Sequence, residues 1–562
     1  MQPSTRPTPT APPTNPRTDT RPPDARPARP VARKAAPPAD PAGGEPGGKP
    51  NQASQLVALA RERFDLVVSE DGRPYAVVTD GPNVVLPLRG KAGLRAQLAR
   101  LFTDANGGSV PSQGSLSDAM MVLEGQAAAT DPVEVSLRVA GGPERIVIDL
   151  GTANGRAVVI TPGAWTVVDR SPVLFRRSGA MAPMPTPDRA RTAEGLDALR
   201  ALVNMDEPTF RQLVGWLVAA WMPHIPHPIL TFKGEQGTGK SKAAQMIVNI
   251  IDPSPATRRT QPRDIKMWST QAFNSWALCL DNISVIPPWL SDTLCKAVTG
   301  DGFVDRALYT DDDVVVLTFR RVLAMTTIDA GALAGDLAER LMILDLQLID
   351  PTQRRTERAL DAAFELARPA ILAALLDLLA EVLTVLPGVA LDSLPRMADF
   401  AQVLAALDQL QGWDTLADYG AAAAAVNADA LEGDPFGSAV LTFTESYGPW
   451  SGTAGELLER LNLTATDSIY HPKWPKDATR ASGQLKRLAP VLRSVGVLVD
   501  DTQRSADRHR RRLVALRLAD QPHTIPEQGS GLETSGITAS AAPTVSWPPV
   551  RKPGELRELP GR

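Results

Sequence analysis

The feature that most constrains this chain is a short stretch in its middle, from His227 to Lys242. Gly234, Gly239, Lys240 and Ser241 stand there at the spacing G-x-x-x-x-G-K-[ST]. An apolar run, Ile229 to Phe232, precedes them, and a helix-forming segment, Lys240 to Ile251, follows. A strand, a glycine-rich loop and a helix in that order make a phosphate-binding loop, or P-loop. The glycines clear side chains away so that main-chain N–H groups can wrap a triphosphate. Lys240 can place its ammonium on the β- and γ-phosphates, and Ser241 can offer a hydroxyl to Mg²⁺. The expected nucleotide-binding set is Gly234, Glu235, Gln236, Gly237, Thr238, Gly239, Lys240, Ser241 and Lys242, with ATP and Mg²⁺ as cofactors.

A second element belongs with this loop. The run Trp276-Ala277-Leu278-Cys279-Leu280 ends in Asp281-Asn282. Apolar residues closed by an acid predict a buried parallel strand whose carboxylate emerges at the carboxyl edge of the sheet, beside the loop. Asp281 is therefore the second metal ligand expected, with Ser241, and it is catalytic together with Lys240 and Asn282. Between the two elements lies a basic loop with Arg258, Arg259, Arg263 and Lys266.

The 562 residues suffice for several domains. A formal net charge of -4 means that any nucleic-acid role must rest on local patches. Cys279 and Cys295 give no metal spacing and no disulfide framework, and they read as core thiols of a cytoplasmic protein. The start of the chain lacks an apolar h-region, and the longest apolar tract, Ala370 to Leu391, is broken by Asp377, Glu381 and Pro387. Neither a signal peptide nor a membrane span is expected.

Residues 1–50 hold 15 of the 51 prolines and no aromatic residue, and read as a disordered basic tail. Short β-type runs then alternate with helical pieces, predicting an α+β module over 51–190. Its runs include Tyr75 to Val78, Val135 to Val139 and Arg145 to Leu150. The P-loop core is expected over 191–350. His224 and His227 flank Pro226 just before its first strand and read as turn residues. Apolar residues at helical spacing predict a helical lid or bundle over 351–448. The order helix, helix, strand, turn, strand over 449–520 is that of a winged helix. Its second helix carries Lys486, Arg487 and Arg493, and its turn carries Arg508, Arg510, Arg511 and Arg512, a pattern suited to DNA. Residues 521–562 read as a second disordered tail.

Taken in order, these motifs resemble superfamily 3 helicases of the AAA+ class, in particular ATPases of phages and integrative mobile elements related to virus-type primase-helicases. The likeness rests on Gly234 to Ser241 (Walker A) and Asp281-Asn282 (Walker B). It continues with Lys296-x-x-Thr299-Gly300-Asp301 followed by Arg306-x-Leu308-Tyr309, then a strand ending in Thr326-Thr327, then Asp336 to Arg340. It covers roughly Ala201 to Ile349. The resemblance implies an ATPase, and further a DNA helicase-like motor for mobile-element or phage replication. The alternative is a DNA-bound AAA+ switch without unwinding activity. It implies a homo-oligomeric ring in which Arg340 reaches a neighbour's nucleotide, although a plain salt-bridged arginine fits the same position. Thr327 would sense the nucleotide, Arg306 and Tyr309 would touch DNA, and a separate primase or replication protein would be a partner.

The sequence departs from that pattern in three places. Asn282 stands where many relatives carry a glutamate, and an amide is no base. Thr326-Thr327 offers short hydroxyls in place of an asparagine. The turn after Tyr309 holds Asp311, Asp312 and Asp313, which would repel a phosphate backbone.

Overall fold

The computed structural model describes residues 51–89, 93–306, 314–327, 335–465, 468–505 and 510–519. Both tails expected to be disordered lie outside them.

The first part is a ten-stranded mixed sheet with three helices. Helix α1 (Gln52–Arg63) leads into β1 (Phe64–Ser69), β2 (Pro74–Val78) and β3 (Val84–Pro87). Helices α2 (Leu94–Ala105) and α3 (Gln113–Ala128) come next. Strands β4 (Pro132–Val133), β5 (Val135–Leu137), β6 (Val139–Gly142), β7 (Arg145–Asp149), β8 (Ala157–Thr161), β9 (Ala164–Val168) and β10 (Leu174–Arg176) complete it, in the order β4-β1-β2-β3-β10-β5-β6-β7-β8-β9. The run expected as one strand, Val135 to Val139, is two, because Arg138 sits at φ 60 and reverses the chain between β5 and β6.

The three helices and β1–β2 have their own small core, built on Leu56, Leu98, Phe102 and Leu123. The far half of the sheet does not. Ile146, Ile148, Val158, Ile160 and Trp165 share one cluster with the helices and strands that follow. The module expected over 51–190 is therefore not a separable body.

Two helices, α4 (Gly195–Arg200) and α5 (Glu207–Ala219), precede the second sheet. Asp206 caps α5 by accepting from the Thr209 N–H, and Phe210, Leu213, Val214, Trp216 and Leu217 are all buried. Next come β11 (Ile229–Lys233), α6 (Lys240–Ile251), β12 (Arg258–Arg259), α7 (Ile265–Phe273), β13 (Ala277–Ile283), α8 (Pro288–Thr299), β14 (Gly302–Arg306), β15 (Val314–Thr318), β16 (Val322–Thr327), α9 (Gly335–Ala338) and β17 (Leu341–Asp345). Five of these strands form a parallel sheet in the order β12-β13-β16-β11-β17, with β11, β13 and β16 largely buried. The chain leaves β11 for β12 on one side, returns through β13 and β16, and then crosses to β17 on the other side. Connections that diverge from adjacent strands open a crevice at the carboxyl ends of β11 and β16.

Strands β14 and β15 pair antiparallel as a separate hairpin, Arg306 opposite Val314. Tyr309 and the three aspartates of its turn lie outside the described residues.

Helix α10 (Glu357–Val385) starts at the Thr356 cap, which accepts from the Ala359 N–H, and runs through the main core. Among the described residues it alone is long and apolar enough to cross a membrane, and 67% of its most apolar stretch is buried inside the fold. It packs against β8 and β9, where Trp165 Nε1 donates to Asp377 Oδ1 and Gly163 N to Ala380 O. The helical region over 351–448 is thus no detached lid: α10, α11 (Ala398–Gln411) and part of α12 (Thr415–Glu432) complete the central core.

The C-terminal body begins earlier than position 449. Helix α13 (Pro435–Tyr447) packs Phe436, Val440 and Phe443 into a third cluster with Trp450, Leu457, Trp474, Leu485 and Leu516. Then follow β18 (Trp450–Gly452), α14 (Ala454–Thr464), α15 (Ala478–Ser494), β19 (Val497–Asp500) and β20 (Val514–Leu518), with strand order β18-β20-β19. Thr453 and Glu456 form a reciprocal capping box at the start of α14.

Candidate functional site

The loop between β11 and α6 is held open by backbone conformations suited to glycine. Gly234, Gly237 and Gly239 have φ of 151, 93 and 81. A Cβ on Gly234 would stand 3.0 Å from both Leu346 O and Thr238 Oγ1. Thr238, buried, spends its hydroxyl on Glu235 O at 3.0 Å, bracing the loop from within. Lys240 folds its ammonium back over the loop and donates to the carbonyls of Gly234 (2.6 Å) and Glu235 (2.7 Å). Its partial burial draws the ammonium pKa downward, against the opposing pull of Asp281.

Asp281 is at the carboxyl end of β13, across β16 from this loop. Its Oδ1 accepts from Ser241 Oγ at 2.8 Å and from Thr326 Oγ1 at 2.6 Å. Thr326 Oγ1 in turn accepts from the Asn282 N–H at 2.8 Å. Ser241, Asp281, Thr326 and Asn282 thus form one network spanning three elements. Asn282 is exposed at φ 58, where the β13–β16 pairing shifts register. Asn is among the few side chains that adopt this conformation readily, and here the residue lines the cleft.

The cleft has a volume of about 1120 Å³. One wall is the glycine loop, with Gln236, Gly237, Gly239, Lys240 and Ser241; Thr326 and Thr327 form its floor. Leu202, Val203, Ile349 and Leu360 make an apolar side. Three cations also face it: Arg258 at the start of β12, and Arg354 and Arg355 just ahead of α10. Arg354 Nη2 lies 3.6 Å from the point a Cβ on Gly237 would occupy. Arg258 belongs to the basic loop read from the sequence. Arg354 and Arg355 were not anticipated, since only the tertiary position of α10 brings them here; a cationic pair beside a helix cap was the sole local signal.

Two expected site residues, Lys242 and Arg340, have other contacts in the single chain. Lys242 lines the cleft, but its ammonium is paired with Glu357 at 3.2 Å and Asp361 at 2.5 Å on α10, so it serves as a strut between helices. Arg340 is only 8% exposed, and its main chain accepts from Ile229 N at 2.8 Å, at the amino edge of the sheet. Its main chain thus stands at the sheet edge opposite this chain's own cleft.

His227 is fully buried, its Nε2 2.9 Å from Ala219 O. Burial pulls its pKa down to about 4, so the ring is neutral. Among the described residues no group of three or more His, Cys, Asp or Glu forms a metal cluster.

In the C-terminal body, Lys486 pairs with Asp501 at 3.3 Å and Arg512 with the same carboxylate at 3.0 Å. Arg487, Arg493, Arg510 and Arg511 are exposed, while Arg508 lies outside the described residues.

The comparisons define a class first: a glycine-loop α/β sheet joined to a small α+β body, both covered by replication-protein family models. Residues 196–429 match the model described as Actinomycete integrative conjugative element replication protein, and residues 436–535 match the AICE RepA C-terminal domain. The break between the two falls just ahead of α13. The chain is thus similar, over two consecutive segments, to a replication protein of mobile elements. Comparison with curated proteins returns no match. Similar solved structures include an apo structure of the NrS-1 C terminal region, with TM-score 0.35 and 10% identity over 84% of this chain and 100% of that one. A second, the A form apo structure of the same region, has TM-score 0.37 and 12% identity over 84% and 100%. A JCV helicase with a bound N-phenylacetamide compound has TM-score 0.24 and 11% identity over 43% of this chain and 66% of that one.

Proposed function

We propose that the chain is a P-loop ATPase of the AAA+ class that acts as a DNA helicase-like motor in the replication of a mobile element. The observation that carries this reading is the 2.8 Å contact between Ser241 Oγ and Asp281 Oδ1, at the sheet edge under a glycine loop. A hydroxyl and a carboxylate oxygen converging there are the donors a hard cation takes, so the set fits Mg²⁺. The apolar side at Val203, Ile349 and Leu360 suits a nucleobase, and the exposed amides of the loop suit a triphosphate.

ATP with Mg²⁺ would supply a phosphoanhydride whose charge is partly neutralised by the metal. The chain's own residues then have distinct tasks. Lys240 trades its loop carbonyls for phosphate oxygens. Thr326 fixes the rotamer of Asp281, and Asn282 can orient a water by hydrogen bonding without taking its proton. Arg354 and Arg355 bring positive charge in from the same chain. The ring assembly, the contact of Arg340 with a neighbour, DNA as substrate and a separate primase belong to the same proposal. The two family matches to replication proteins support it.

The experiment is ATP hydrolysis with and without single-stranded DNA, run beside strand displacement on a forked duplex. Both activities should be present in the wild type and absent in Lys240→Ala. No hydrolysis under any condition would sink the reading. Hydrolysis without displacement favours the second reading, a DNA-bound AAA+ switch, to which the amide at position 282 lends weight. Sizing the chain with ATP and DNA tests the ring.

A further inference from the structure

We infer that the C-terminal body grips duplex DNA through a cleft between the His471–Lys476 loop and one face of α15, with Gly483 as the point of closest approach. The inference rests on the DNA reading above and names the surface that performs it.

The cleft has a volume of about 500 Å³ and is lined by Pro472, Lys473, Pro475, Lys476, Arg480, Gly483 and Arg487 among others. All four cations are exposed, in a chain whose formal net charge is -4. Arg480, Gly483 and Arg487 fall at i, i+3 and i+7 and so share one helix face. The opposite face, with Ala481 and Leu485, is buried. Lys473, Lys476 and Arg487 have no carboxylate partner among the described residues. Arg480 lies 3.5 Å from Asp477, both side chains more than half exposed, a pair too well solvated to hold the arginine back.

Gly483 is the independent observation. Glycine inside a helix is disfavoured relative to alanine, and it is kept where packing or close approach requires it. Packing does not require it here, since a Cβ would meet nothing within 4 Å. A backbone left bare between two arginines and two lysines, with open space before it, is suited to the close approach of a phosphodiester strand. Tyr470, 85% exposed, immediately precedes this loop in the chain. By contrast, Lys486 and Arg512, which the sequence placed in the DNA-binding set, share the Asp501 carboxylate. Phosphate attraction is correspondingly weaker on that side.

The test is anisotropy of a labelled duplex with the full chain across a salt series. Lys473→Ala/Lys476→Ala should reduce the slope of log K against log salt by about 1.8, the release of two counterions. Arg480→Ala/Arg487→Ala should act alike. Gly483→Gln, a better helix former, should leave thermal stability undiminished yet weaken binding about tenfold by filling the cleft. Wild type that binds, with all three variants within twofold of it and of equal slope, would overturn the cleft while leaving the DNA reading intact. Wild type that fails to bind duplex at low salt would overturn the DNA reading and the cleft together. Equal loss of binding to a poly-glutamate probe in the same variants, with no duplex binding in any chain, would assign the cleft to an acidic protein instead.

Discussion

Arg138 and Asp252 offer the sharpest test of how the first sheet is joined to the P-loop core. Their side chains are 0% and 1% exposed, and Arg138 Nε lies 2.8 Å from Asp252 Oδ1. The remaining guanidinium nitrogens donate to Asp149 O at 3.0 Å and Ala182 O at 2.7 Å. Asp252 Oδ2, at the end of α6, accepts from Trp276 N at 2.8 Å and Ala277 N at 3.2 Å, where β13 begins. Replacing Arg138 by Met strands a buried carboxylate, which costs about 3–5 kcal/mol. At about 2 °C per kcal/mol for a large cooperative unit, the melting temperature should fall by roughly 6–10 °C. Asp252→Asn strands the guanidinium but keeps an acceptor for the two amides, so its loss should be similar or smaller. The double variant should be less destabilised than the sum of the singles, by about 0.5–3 kcal/mol of coupling. Differential scanning calorimetry of all four chains measures this. Additive losses, or an Arg138→Met shift under 2 °C, would show that the pair does not hold sheet to core.

Thr326→Val should lower the ATP turnover number about tenfold with little change in nucleotide affinity. It removes one donor to Asp281 and the acceptor of the Asn282 N–H, a loss of about 1.5 kcal/mol or more. Arg354→Ala/Arg355→Ala should cut hydrolysis at least about tenfold while a fluorescent nucleotide still binds; unchanged turnover would remove these arginines from the site. His227 gives a pH dependence. Its folded pKa of about 4 lies below the usual 6.5, so the unfolded chain binds the proton more tightly. Stability is full above about pH 6.5, declines as pH falls toward 4, and loses at most about 3 kcal/mol below that. Chemical denaturation at pH 7, 5.5 and 4.5 should show the decline in the wild type and not in His227→Gln.

The glycine loop was legible in the sequence because everything it needs is local: an apolar run, glycines at fixed offsets, then a helix former. Asp281 was legible for a related reason, as an acid closing an apolar run. The carboxylate's partners were only half readable, since Thr326 comes from a strand 45 residues further on. Arg138 carried no readable signal, and Arg354 and Arg355 only that of a cationic pair beside a helix cap, because an arginine's role depends on which element the tertiary fold sets beside it. The same reason hid the continuity of the core. The run Arg145 to Leu150 read as part of an α+β module, and only the path of α10 reveals that Ile146 and Ile148 belong to the shared core. Helix α13 falls inside the helical region expected over 351–448, but nothing local to it told that Phe436, Val440 and Phe443 pack with the C-terminal body.

The shared path of α10 also decides how this molecule can be dissected. A fragment starting at residue 191 would present to water the flank of α10 that Trp165 and Gly163 now cover. Its complement would leave Ile146 and Ile160 equally bare, so both pieces should be prone to aggregate. From α13 onward the buried residues form a cluster separate from the central core, and it is ahead of α13 that a well-behaved recombinant fragment should be sought.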